Sequence, residues 1–244
     1  SLEAALPVLD EHQVESMAIG YLHAFVNPEH EQRTAEWLAQ RRPELSLTLA
    51  SEVCPEIREF ERLSTACANA YVRPLMARYL ERLAGELREL GVDCPFLLMT
   101  SGGGLTTLET ASRFPIRLVE SGPAGGAILA RDVARGAGLE RVLSFDMGGT
   151  TAKLCLIDDY EPLTSRSFEV DRVYRFRKGS GLPVRVPTIE LIEIGHLVGD
   201  RLPKVLLVNS YHAGYKWSDD IEKGVWKAFG IKQRAERLAE RRQA

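Results

Sequence analysis

Ser144-Phe145-Asp146-Met147-Gly148-Gly149-Thr150-Thr151-Ala152-Lys153 is the stretch on which the reading of the fold turns. Val142 to Asp146 and Ala152 to Ile157 are short apolar runs of strand length, and the glycines between them predict a tight hairpin. An acid at the end of a buried strand, two glycines and two hydroxyls suit phosphate chemistry. Gly148 and Gly149 let backbone N–H groups approach phosphate oxygens, Thr150 and Thr151 can donate to the same oxygens, and Asp146 can hold a divalent cation through water. The competing reading is an ordinary glycine hairpin, and Lys153 is either a charge-neutralising group or, if strand alternation turns it outward, a solvated cation.

Working outward, Ser121-Gly122-Pro123-Ala124-Gly125-Gly126 is expected to be a glycine-rich turn after a strand over Ile116 to Val119, feeding a helix from Ala127 to Arg135. A helix N-terminus presents amides and the positive end of a dipole, so Ser121, Gly122, Gly125 and Gly126 are candidate anion contacts; close packing of strand on helix is the alternative. Pro95 to Thr100 reads as a strand ending in Ser101-Gly102-Gly103-Gly104, for which close packing is the simpler reading. Neither a Walker A loop nor a G-x-S-x-G elbow occurs.

The first part of the chain is richer in helix signals. Residues 1–16 predict a short helix, Met17 to Phe25 a buried strand with His23 in the core, and Asn27-Pro28 the start of a helix ending at Arg42. Leu45, Leu47 and Leu49 alternate as in a strand. From Glu56 to Leu90 apolar residues recur every three or four positions, the stripe of one long amphipathic helix that Pro74 should kink or divide and Gly91 should end. Strands and helices alternate, so the class is α/β or mixed α+β. Three segments are expected: a helix-rich 1–94, a glycine-loop nucleotide-binding 95–195, and a divergent tail 196–244.

The 244 residues are 45% hydrophobic and 27% charged, which excludes a disordered or collagen-like chain. Thirty-one Lys and Arg against 34 Asp and Glu leave a net charge of −3, so no global positive field draws in nucleic acid. Apolar runs such as Phe96 to Met99 fall far short of the roughly 20 residues of a membrane span. Cys54, Cys67, Cys94 and Cys155 form no CxxC pair and are expected as buried reduced thiols, which fits the cytoplasm; the opening residues carry no secretory signal pattern, and a start inside a longer product is equally compatible with them.

In order along the chain, Asn27-Pro28-Glu29-His30-Glu31, Pro55 to Arg62, Asn69-Ala70-Tyr71-Val72-Arg73-Pro74, Glu120 to Gly126, Phe145 to Lys153 and Gly179-Ser180-Gly181-Leu182-Pro183 closely resemble the hydantoinase A/5-oxoprolinase family. The resemblance covers about residues 1–195 and is nearest to the N-methylhydantoinase A type, with acetone and acetophenone carboxylase subunits as relatives. It implies an actin-like ATPase (ribonuclease H-like) core, here incomplete. It implies ATP with Mg²⁺ or another divalent cation, and hydrolysis of a cyclic amide such as a hydantoin or 5-oxoproline after phosphoryl activation. On this resemblance Asp146 organises metal or water, Gly148 and Gly149 cradle phosphate, Thr150 and Thr151 donate to it, and Lys153 neutralises charge. Partners so implied are a small cyclic amide or ketone and a B-type subunit, with neither nucleic acid nor membrane. Two other outcomes stay open: a subunit of an ATP-dependent ketone carboxylase, or a truncated domain without catalysis.

The family pattern departs at both ends. An earlier domain with its own Asp-x-Gly-Gly-Thr loop has no counterpart in residues 1–26, and after Gly195 the sequence His196-Leu197-Val198-Gly199-Asp200 replaces an expected glycine loop. Pro203 to Gly224, with Val205 to His212 and Trp217 to Ile221, instead resembles, over a short span, the opening strand and helix of a periplasmic-binding-protein-like sensor or transporter domain.

Overall fold

The computed structural model describes residues 2–147, 152–170, 173–174 and 179–194, and the chain is α/β. It divides into two compact units, one from the residues up to Ile128 with Thr164–Glu190, the other from Leu129–Leu163 with the residues from Leu191 onward.

The first unit begins with α1 (Leu6–Glu11), β1 (Ser16–Ile19), α2 (Glu29–Arg41) and β2 (Ser46–Leu49). β1 and β2 pair in parallel, in register from Ser16↔Ser46 to Ile19↔Leu49, with α2 as the crossover that a parallel pair requires. Asn27 accepts the Glu29 amide at 3.1 Å on its Oδ1, but Pro28, expected at the first helical position behind an Asn27 cap, is itself the N-cap of a helix that starts at Glu29. Ile19, Leu38 and Leu49 form the core between helix and strands, joined by Leu6, Leu9, Met17 and Trp37. Each fully buried aliphatic there contributes roughly 1.5–3 kcal/mol. The strand expected to run to Phe25 stops at Ile19; the chain then turns, and His23 is exposed at φ 56° rather than in the core.

After α3 (Ala50–Val53) comes α4 (Glu59–Glu89), one helix that Pro74 does not divide. Its buried stripe is more polar than the apolar periodicity suggests: Arg62, Thr65, Ala66, Asn69, Ala70 and Leu80 are buried, whereas Phe60, Leu75 and Leu90 are exposed. At its end the Gly91 amide bonds to the Arg88 carbonyl and that of Val92 to Leu87, a Schellman closure that needs the φ of 80° adopted by Gly91.

β3 (Leu97–Met99) and β4 (Leu105–Thr107) make an antiparallel hairpin, followed by α5 (Leu108–Arg113), whose N-cap Thr107 accepts the Thr110 amide. The strand expected over Ile116 to Val119 is instead a 3₁₀ turn, Pro115–Leu118. Pro115 presets a helical φ, and the amide of Ile116 is taken by Asn69 Oδ1 at 3.3 Å, so no ladder can form there. Ser121–Gly126 is likewise not a turn before a helix; it is the first part of α6 (Ser121–Gly136). Pro123 sits where a missing N–H costs nothing, and the Ala124 amide already bonds to the Glu120 carbonyl at 3.1 Å. β8 (Thr164–Ser165) with β11 (Thr188–Ile189), and β9 (Phe168–Val170) with β10 (Leu182–Val184), are antiparallel pairs. Val53, Cys54, Ile116, Val184 and Val186 form this unit's other core cluster.

In the second unit β5 (Arg141–Met147) and β6 (Ala152–Asp158) form the expected hairpin, and β7 (Glu161–Pro162) and β12 (Ile192–Ile194) also pair with β6. Asp159 and Tyr160, both at positive φ, make the two-residue turn into β7. Cys54 and Cys155 are buried, but Cys67 and Cys94 are exposed, against the expectation of four buried thiols.

Candidate functional site

The β5–β6 register decides where the acid and the lysine lie. Val142 pairs with Ile157, Ser144 with Cys155 and Asp146 with Lys153, so these six side chains share one face of the hairpin. The first two pairs are buried. The third continues that row toward the loop end, with Asp146 exposed and Lys153 half-buried. Strand alternation thus sets Lys153 on the face of Cys155 and Ile157, directly beside the acid. On the other side of β6 the backbone register aligns Glu193 with Lys153. Gly148, Gly149, Thr150 and Thr151 lie in the connection between Met147 and Ala152, outside the described residues.

The glycine-rich start of α6 belongs to the first unit up to Ile128. Ser121 and Gly125 are half-buried, Gly122 and Gly126 exposed, and Ala124 fully buried. Among the described residues, a Cβ built on Gly122 meets nothing within 4 Å, and one on Gly125 only Met99 at 3.9 Å. Packing therefore does not explain Gly125, which costs the helix about 0.5–1 kcal/mol relative to alanine, whereas Gly122 precedes Pro123, whose ring disfavours a helical neighbour bearing a Cβ. Glu120, just before the helix, holds φ at 63°.

Ser101 to Gly104 is built differently. Ser101 is 1% exposed, and its hydroxyl reaches the carbonyl oxygens of Arg117 at 2.7 Å and Val119 at 2.5 Å. Its amide donates to Arg117 O and its carbonyl accepts from Ile189. Gly103 has φ 81°, and a Cβ there would lie 2.8 Å from Ile128 Cδ1. This segment is a packing joint.

A buried polar network in the first unit escaped the reading of the sequence. Glu31, fully buried, accepts the amides of Tyr21 at 3.0 Å on Oε1 and of Ser51 at 2.8 Å on Oε2. Arg62, also fully buried, donates to the carbonyls of Glu56 at 2.8 Å and Tyr21 at 3.2 Å and to Glu59 Oε1 at 3.3 Å. Asn69 donates to Thr48 Oγ1 and the Arg113 carbonyl. The available signal was position: Glu31 shares a helical face with Thr34 and Leu38, and Arg62 with Ala66 and Asn69. Burial raises the Cys54 thiol above its ordinary range, as befits an inert core cysteine.

The fold has counterparts among ATP-dependent enzymes. The crystal structure of an ATP-dependent caprolactamase from Pseudomonas jessenii superposes with a TM-score of 0.68 at 30% identity, covering 80% of this chain and 27% of that one. Nucleotide-free acetone carboxylase gives 0.67 at 22% identity over 80% of this chain and 26% of that one, a likeness of fold. The family model for Hydantoinase/oxoprolinase matches residues 62–217, and the chain belongs to that family.

Among curated relatives, an uncharacterised protein of Methanocaldococcus jannaschii is 35% identical over 79% of this chain and 29% of its own length. The caprolactamase alpha subunit of P. jessenii is 35% identical over 64% of this chain and 22% of its length. The chain thus spans less than a third of the length of these relatives.

Proposed function

We propose that this chain forms part of an ATP-dependent enzyme that opens a cyclic amide, with the β5–β6 hairpin of an actin-like ATPase core as its phosphate-binding element. What supports the reading most is the row ending in Asp146 beside Lys153, at the loop end of a glycine hairpin, in a chain of this family. The described donors fit a nucleotide with Mg²⁺. Asp146 is an exposed hard-oxygen donor and Lys153 a neighbouring cation. Mg²⁺ keeps most of its waters and typically takes only one or two carboxylates besides phosphate.

An unstrained ring amide resists water because its C–N bond is resonance-stabilised. Phosphoryl transfer from ATP to the amide oxygen would make the ring carbon a better electrophile; one water adds, the C–N bond breaks as nitrogen takes a proton, and a second water cleaves the acyl phosphate so formed to carboxylate and phosphate. In this reading Asp146 orders the hydrated cation and Lys153 offsets phosphate charge. The backbone of Gly148 and Gly149 and the hydroxyls of Thr150 and Thr151 hold phosphate oxygens. Ser121, Gly122, Gly125 and Gly126 serve as backbone contacts to an anionic group in their own unit. Exposed thiols at Cys67 and Cys94 suit a reducing compartment such as the cytoplasm, and a B-type subunit is the proposed partner.

The likeness to acetone carboxylase favours a second reading, a ketone carboxylase subunit with the same phosphoryl activation. ATP hydrolysis stimulated by hydantoin, 5-oxoproline or caprolactam in the presence of a candidate second subunit supports the hydrolase. Stimulation by acetone with bicarbonate alone supports the carboxylase. No stimulation by any of them leaves the truncated, non-catalytic domain.

A further inference from the structure

In the first unit, α1, the loop before β2, α4 and α5 enclose a groove of about 940 Å³. Four arginines line it, and three have carboxylate partners. Arg42 is held by Asp10 at 2.8 and 2.5 Å, Arg113 by Glu52 at 2.5 Å, and Arg78 by Glu15 at 3.8 Å. Arg73 has no ion pair among the described residues; its Nη1 donates to the Leu47 carbonyl, and its other N–H groups have no protein acceptor there. This guanidinium is half-buried, and burial, aided by the charge of Arg113 and opposed by that of Glu52, depresses its pKa. The edge of this cation that no protein acceptor takes can receive an anion, and a planar carboxylate matches its fork.

The same groove carries Glu44 and Glu109, neither within ion-pair distance of a cation among the described residues, although the charge of Glu44 acts on Arg42. These acids oppose a polyanion such as a phosphate and favour a ligand with a positive end. We infer that the groove is a binding site for a small amino carboxylate, its carboxylate on Arg73 and its ammonium toward Glu44 and Glu109. The inference is independent of the nucleotide reading, since none of the lining residues belongs to the β5–β6 hairpin.

Titrating the full chain calorimetrically with 4-aminobutyrate, its amide 4-aminobutyramide and inorganic phosphate tests it. The expected result is saturable binding of 4-aminobutyrate, at least about tenfold weaker in Arg73→Gln and for the amide, as loss of a charge-assisted bidentate contact requires. Phosphate should bind more weakly than 4-aminobutyrate. Ala77→Glu guards against misfolding of the first variant: one helical turn from Arg73 and in the groove lining, it supplies the missing counter-ion, so the protein stays folded and loses the ligand. No binding to the unmutated chain, equal binding of the amide or of phosphate, or unchanged affinity in a folded Arg73→Gln or Ala77→Glu protein each overturns the inference.

Discussion

Two glycine segments of similar composition, Ser101 to Gly104 and Ser121 to Gly126, do different things in this fold. In the first, a Cβ on Gly103 would collide with Ile128, and the Ser101 hydroxyl is spent on two backbone carbonyls. In the second, Gly125 has room for a methyl group among the described residues, yet stands in the first turns of a helix. Glycine content alone does not separate a packing joint from a ligand contact. What an added Cβ would meet does.

The comparison can be broken by substitution. Gly103→Ala forces a methyl group against Ile128 at a left-handed φ and is expected to cost about 2–3 kcal/mol in denaturant unfolding, with nucleotide affinity of the folded fraction unchanged. Ser101→Ala removes the hydroxyl that meets the two carbonyls and should cost about 1–3 kcal/mol by the same measurement. Gly125→Ala should act in the opposite sense, raising stability by about 0.5–1 kcal/mol through helix propensity while weakening pyrophosphate binding in calorimetry. A destabilised Gly125→Ala, or one that binds unaltered, would erase the distinction between the segments.

Local features of the chain were legible where neighbouring residues decide them. The β5–β6 hairpin follows from two apolar runs around glycines, α4 from its three- and four-residue apolar steps, and its end from Gly91. Asp146 and Lys153 could be named as candidates, but their adjacency is a matter of register, which becomes evident only once Met147 is seen opposite Ala152. Contacts distant in sequence hid the rest. Ile116 reads as a strand until Asn69 captures its amide, and Ser121–Gly126 reads as a turn until Pro123 is seen inside a helix. Nothing next to Arg73 in sequence marks the groove; α1, the loop before β2 and α5 bring it together around α4.

The central claim, that the β5–β6 hairpin binds the phosphates of a nucleotide, is tested most directly by calorimetric titration of the chain with Mg²⁺–ATP, with Asp146→Ala in parallel. Asp146 is exposed, so its removal leaves the fold intact and the unfolding midpoint unchanged. The account predicts saturable heat from the unmutated chain that is lost or at least about tenfold weaker in Asp146→Ala. No heat from the unmutated chain, or equal heat from both, would contradict it.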